Sequence, residues 1–285
     1  MNAGSVADLL RARRAELTPA ERRVVQILLG DYPAAGLQSV ARLAQEAGVS
    51  PPTVVRLVAK LGFTGYPNLQ DALRGELSAR TTGPLHAYPD GPRAARHADP
   101  LPARAERSIG RAVQESLHAL DPVELDHAVD LLTDQGREVV VTGGRFSWTL
   151  AAHLSSFLSL LRPAVRHLPP EPGERNRGLL DLGPRSTVVL FDYRRYQRDT
   201  VEFGRDAAAR GARLVVCTDP YLSPAAAAAT VLLTTSLDGL APFISLAAPF
   251  ALVETLVAGA AERGGKAARA RLAGYERLGS AALHG

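Results

Sequence analysis

Between Thr81 and Arg107 the chain reads TTGPLHAYPDGPRAARHADPLPARAER, with five prolines (Pro84, Pro89, Pro92, Pro100, Pro102) and no apolar periodicity. Proline fixes φ and donates no backbone hydrogen bond, so neither a helix nor a central strand runs through such a stretch. A chain of 285 residues interrupted there is expected to fold as two units, residues 1–80 and 108–285, joined by a linker over 81–107. The two sides differ in pattern. Before the break the apolar residues recur at helical spacing; after it, short β-branched runs alternate with longer amphipathic stretches.

In the first unit, Thr18-Pro19-Ala20-Glu21 predicts a capped helix start, followed by Val24, Ile27 and Leu28 on one face as far as Gly30. Ser39 is expected to cap a second helix, Val40 to Ala47, ended by Gly48. Ser50 is expected to cap a third, with Pro51 and Pro52 in its first turn and Gly62 at its end. Within VARLAQEAGVSPPTVVRLVAK, small Ala44 lets two helices cross closely and Gly48 permits a tight turn. Leu43, Ala47, Val49, Val54 and Leu57 fall at the inward positions of a helix-turn-helix. The third helix then presents Ser50, Pro51, Pro52, Thr53, Arg56 and Lys60 outward. Thr53 and Arg56 are the expected base readers, since arginine bonds guanine bidentately and threonine offers a hydroxyl or a methyl. Arg42 and Lys60 are expected to contact phosphates.

The second unit predicts strands at Glu138–Thr142, Ala164–Leu168, Thr187–Asp192, Arg213–Thr218 and Thr230–Thr234. Helices are expected at Ser147–Leu161, Asp199–Arg210 and Phe243–Arg263. Apolar strands separated by helices imply a parallel sheet covered on both faces. The fold class is therefore an N-terminal all-α domain followed by a C-terminal α/β domain.

Charge supports the division of labour. The net charge is +4, and residues 1–80 hold ten Lys/Arg against seven Asp/Glu, whereas residues 111–285 balance at nineteen each. A basic N-terminal unit suits a polyanionic partner. The single cysteine, Cys217, excludes an intrachain disulfide and a multi-thiolate metal site, and its place at the end of an apolar strand predicts a buried, inert thiol. His118, His127 and His153 lack metal-ligand spacing. The uncharged stretches Gly239–Val253 and Pro220–Leu237 are short and proline-interrupted, so no membrane span is expected. The N-terminus carries Arg11, Arg13 and Arg14 after its few apolar residues, the reverse of a secretory signal, so a cytoplasmic location is expected.

The segments TPAERRVVQILL and SVARLAQEAGVSPPTVVRLVAKLGFTGYPNLQDAL resemble the N-terminal domain of RpiR/MurR-type transcriptional regulators, from about Leu17 to Leu77. The resemblance implies a C-terminal SIS (sugar isomerase) domain over residues 108–263. It further implies a phosphosugar-type site at the strand C-terminal ends, where helix N-termini favour an anion. The first ligand loop of such domains reads Gly-x-Gly-x-Ser and stands here as Gly143-Gly144-Arg145-Phe146-Ser147. The second reads Ser-x-Ser-Gly-x-Thr and stands here as Asp192-Tyr193-Arg194-Arg195-Tyr196-Gln197, followed by Arg198 and Thr200. Asp192, Arg194 and Gln197 thus replace the three hydroxyl residues.

Three outcomes follow for that loop: an altered site for an acidic ligand, a degenerate site used for dimerisation, or a solvated loop that contacts a partner. In one version of the second, Asp192 pairs with Arg145 or Arg194 and fills the pocket. Glu254 is expected to face the pocket or a dimer partner. The whole reads as a regulator that binds a double-stranded operator as a homodimer or homotetramer and senses a small anionic metabolite, with no cofactor, no metal and no catalytic residue. A sugar-phosphate isomerase is the alternative.

Overall fold

The computed structural model describes residues 5–81, 83–86, 88 and 99–283. The first helices are α1 (Val6–Ala12), α2 (Pro19–Gly30), α3 (Ala34–Leu37), α4 (Val40–Glu46), α5 (Pro51–Lys60) and α6 (Tyr66–Thr81). Local chemistry sets their starts. Thr18 and Glu21 form the predicted reciprocal capping box, and Ser39 accepts from the Arg42 amide; such caps contribute about 1 kcal/mol each. Ser50 is the N-cap of α5, but its hydroxyl sits 3.0 Å from the Thr53 hydroxyl and makes no cap hydrogen bond. Gly48 adopts φ +61°, the left-handed turn between α4 and α5 for which glycine was expected. Leu43, Ala47, Val54 and Leu57 are buried as predicted, with Leu69 and Leu73 of α6 beside them; Val49 is half-buried. Helix α1, which the sequence pattern did not reveal, is anchored where the Val6 amide donates to Glu76 at 2.7 Å.

The second half contains α7 (Leu101–Ala105), α8 (Arg111–Ala119), α9 (Pro122–Thr133), α10 (Trp148–Leu161), α11 (Pro172–Asp181), α12 (Arg198–Ala209) and α13 (Ala247–Leu283). Helix α7 begins inside the stretch read as a linker, with Pro102 in its first turn, where proline is tolerated; residues 82, 87 and 89–98 of that stretch lie outside the described ones. Five parallel strands form one sheet: β1 (Glu138–Gly143), β2 (Val165–His167), β3 (Ser186–Phe191), β4 (Arg213–Thr218) and β5 (Val231–Thr234), in the order β2-β1-β3-β4-β5. Every residue of β3 is buried, because both faces of the sheet are covered. Val139, Val141, Val189 and Phe191 pack with Leu150, Leu154 and Leu252 on one face. Val140, Val188, Leu190 and Leu214 pack with Val201 and Phe203 on the other.

The last helix differs from expectation at both ends. It starts at Ala247, not Phe243, because the Ser245 hydroxyl accepts from the Ala247 amide while the Ser245 amide closes a loop onto Leu237. It continues past Arg263 to Leu283 through a break at Gly265.

The two halves share a junction. Leu222, in the segment after β4, belongs to the same buried cluster as Val24, Leu28 and Leu10 of the helical domain, with Ala226 and Leu232 packed alongside. No helix among the described residues is long and apolar enough to cross a membrane.

Candidate functional site

From β1 the chain crosses to β2 on one side, and β3 lies on the other, so the strand order reverses between β1 and β3. Ligand crevices of open α/β sheets form outside the strand ends at this switch point. The register Gly143↔Phe191 brings the two predicted loops together there. A crevice of about 830 Å³ opens above them, lined among others by Gly144, Arg145, Ser147, Asp192, Arg194, Arg195 and Gln197. Seven of the predicted ligand residues therefore meet in one cavity.

Three do not line it. Gly143 underlies the β1–α10 turn, where a Cβ would lie 2.7 Å from the Ser147 carbonyl oxygen, so only glycine fits. Arg198 points outward and pairs with Glu202 at 2.7 Å. Thr200 is fully buried and accepts from Arg175.

In the second loop Arg195 holds φ +62°, the left-handed conformation that favours glycine, at the position where the resemblance places glycine. Its chemistry differs. Asp192, 1% exposed, pairs with neither Arg145 nor Arg194; it accepts from the Ser223 hydroxyl. Burial pushes its carboxyl up to about 7, and nearby Asp219 adds to the rise, against the Ser223 hydrogen bond and Arg175. Gln197 sends its Oε1 across to accept the Arg145 amide, and the Ser147 hydroxyl donates to the Phe191 carbonyl at 2.6 Å.

Several residues were not found by sequence reasoning. Arg175 of α11 is buried beneath the crevice and donates to the Gly143 carbonyl at 2.6 Å, Thr200 Oγ1 at 2.9 Å and Asp199 at 2.9 Å. Burial pushes its guanidinium down, partly offset by Asp199 and Asp192. Asp219, at the end of β4, is fully buried. Its carboxylate accepts from the Arg194 amide at 2.6 Å, the Tyr196 hydroxyl at 2.9 Å and the Tyr221 amide at 2.9 Å. Arg194 lies over the Tyr221 ring, 4.7 Å from its centroid. An apolar wall adds Leu237, Pro242, Phe243, Ile244 and Leu246, and Pro84 reaches it from the linker. No local motif marks these residues; only strand order and loop closure assemble them.

Cys217 is buried, and burial pushes its thiol up, as an inert thiol requires. His153 packs edge-on against Phe157 and Phe250, and no cluster able to hold a metal occurs among the described residues. Glu254 is exposed and does not line the crevice.

On the helical domain, Pro51, Pro52 and Arg56 are exposed and Thr53 is half-buried. Ser50, Thr53 and Arg56 form a chain of side-chain contacts at 3.0 and 3.4 Å along the start of α5. The two expected phosphate contacts carry acidic partners: Lys60 pairs with Glu21 at 2.8 Å and Arg42 with Glu46 at 3.1 Å. Arg23, not predicted, braces the turn by donating to the carbonyls of Ala47 and Gly48.

Comparison with known proteins agrees with this architecture. A helix-turn-helix domain of the rpiR family matches residues 4–80, and a SIS domain matches residues 131–259. The HTH-type transcriptional regulator HexR of Pseudomonas aeruginosa is 36% identical over 138 residues, which is 47% of this chain and 46% of that protein. The chain thus spans about half the length of this relative. The sugar isomerase domain of an RpiR transcription factor from Sphaerobacter thermophilus superposes with a TM-score of 0.59 at 27% identity, over 62% of this chain and 98% of that one. The Vibrio vulnificus NanR protein, complexed with ManNAc-6P, shares the fold over 94% of this chain and 96% of its own, with a TM-score of 0.54 at 16% identity. The chain joins an rpiR-family helix-turn-helix domain to a SIS domain and is homologous to HexR and other HTH-type transcriptional regulators.

Proposed function

We propose that this protein is a ligand-responsive transcriptional regulator without catalytic activity. The start of α5 enters the major groove of an operator, with Arg56 and Thr53 at base edges and the rings of Pro51 and Pro52 against thymine methyls. Arg42 and Lys60 exchange their acidic partners for phosphates. A homodimer or homotetramer presents two such helices to a palindromic site. The switch-point crevice takes a small anionic effector, as the SIS-fold NanR protein takes a phosphosugar.

The observation that carries this reading is the segment Asp219–Ser223. Asp219 holds the amide of Arg194 and the hydroxyl of Tyr196 in the ligand loop, and Ser223 holds Asp192. Between them, Leu222 is buried in the helical domain. A ligand that rearranges the loop therefore acts on the contact that sets where the DNA-reading helix lies. Only a ligand with different affinities for the two placements shifts the equilibrium.

The test is a salt titration of binding to DNA upstream of the protein's own gene, beside a scrambled duplex. Arg56→Ala is expected to weaken selective binding by about 1–3 kcal/mol, roughly ten- to a hundredfold, and to leave scrambled-duplex affinity nearly unchanged. Equal weakening on both duplexes would assign Arg56 to phosphate instead. Selective binding absent at every salt concentration would count against the regulator reading.

Leu222→Ala bears on the coupling. Loss of its packing is expected to cost about 2 kcal/mol of stability in urea unfolding, the low end for a buried leucine because it sits at a domain junction. The variant should still bind operator while responding less to effector. An unchanged stability would show that the two halves do not rest on Leu222.

A further inference from the structure

The crevice offers little to a dianionic phosphate group. Four donors of the two loops are already committed: Gly144 N–H to the Phe191 carbonyl, Arg145 N–H to Gln197, Arg194 N–H to Asp219, and the Ser147 hydroxyl to the Phe191 carbonyl. Buried Asp219, behind its floor, opposes a second negative charge, and so does Asp192 at the floor where it is ionised. Gln197, at the N-cap of α12, spends its side chain on the opposite loop.

What the crevice does offer lies at its mouth and along one wall. The guanidinium groups of Arg145 and Arg195 are exposed and have no acidic partner among the described residues. Arg145 lies over the Phe146 ring at 5.4 Å. Phe146, Phe243 and Ile244, which line the same crevice, are 57%, 70% and 45% exposed, and buried Leu237 continues their surface inward. Large apolar side chains gathered around one cavity, rather than scattered, mark a surface that something covers.

Resting on the sensing reading above, we propose that the effector is an amphipathic monocarboxylate, with one carboxylate gripped by Arg145 and Arg195 and an aromatic or short acyl body laid against Phe146, Phe243, Ile244 and Leu237. Guanidinium groups hydrogen-bond a carboxylate through paired N–H donors and need no backbone phosphate cradle to do so. The body covers apolar surface that the chain leaves open to water.

The test uses the full chain with 8-anilinonaphthalene-1-sulfonate, itself an aromatic monoanion, as fluorescent reporter. 3-Phenylpropionate and octanoate are expected to displace it, whereas glucose 6-phosphate and uncharged 3-phenylpropanol displace it at least about tenfold more weakly. Ile244→Asp, on an exposed loop, should weaken displacement by both acids about tenfold. Displacement by glucose 6-phosphate as strong as by the acids would overturn the proposal, as would failure of both acids to displace. So would reporter binding that Ile244→Asp leaves unaltered, or that falls as sedimentation shows copies of the chain associating, since the apolar wall would then be covered by a second copy. Operator binding measured with the same compounds separates the two readings. Acids that bind the crevice but leave operator occupancy unchanged sink the sensing reading and leave the ligand class standing. A phosphosugar that shifts operator occupancy while the acids do not sinks the ligand class alone.

Discussion

Replacing Arg175 with methionine is expected to lower the unfolding free energy by about 3–5 kcal/mol, since a buried guanidinium leaves charged and neutral partners unpaired behind it. The side chain is 3% exposed and makes three short contacts on two elements. Methionine fills much of the volume, but the Gly143 carbonyl and the Thr200 hydroxyl, both buried, lose their donor. Asp199 contributes less to the loss, because its side chain is 45% exposed and regains water. Arg175→Lys should recover only part of the stability, because one ammonium does not span the fork. Denaturant unfolding with an unchanged slope is the measurement. A loss below about 1 kcal/mol would mean that β1 and α12 are held together without this clamp.

The second large effect is a reversal of the usual pH behaviour at Asp192. Burial pushes its folded carboxyl up to about 7, from the ordinary aspartate value of 3.8. The folded protein therefore keeps a proton that the unfolded chain releases. This group's stabilising contribution is fully present below the unfolded value and is lost as pH rises toward 7. A displacement of that size corresponds to an effect on the order of several kcal/mol. Asp192→Asn carries no charge and still accepts from Ser223. Near pH 8 it should be more stable than the parent, and the difference should vanish toward pH 4. Unfolding curves of the two proteins across that range check the prediction; a parent equally or more stable at pH 8 refutes it.

Neither residue's behaviour was visible in the sequence, although their surroundings partly were. The loops Gly143–Ser147 and Asp192–Gln197 stood out by resemblance, and the positive φ at Arg195 agrees with the glycine position it replaces. Membership of the crevice was legible for the predicted residues inside those loops except Gly143, which underlies a turn, and misassigned just outside them. Arg198 follows the loop in sequence, yet the helical turn that begins there carries it to the exterior, where it meets Glu202. Phe243 and Ile244 read as the start of a helix by their apolar character, but the Ser245 amide bonded to Leu237 makes them a loop over the crevice. Lys60 and Arg42 read as phosphate contacts; the acidic partners that they carry in the structure, Glu21 and Glu46, become their neighbours through packing and helix phase.

The sequence by itself determined what depends on near neighbours: caps at Thr18 and Ser39, the glycine turn at Gly48, the inward positions of α4 and α5, and the apolar strands. Each follows from hydrogen bonds or periodicity within a few residues. The tertiary structure alone decided which distant groups meet. Strand reversal between β1 and β3 sets Gly144 beside Asp192, α11 delivers Arg175 beneath them, and the end of β4 brings Asp219 and Leu222 to the domain junction. These contacts join residues far apart in the chain, and no spacing rule encodes them. They also decide the electrostatics, because a carboxyl group titrates according to the burial and charges around it rather than the letters on either side.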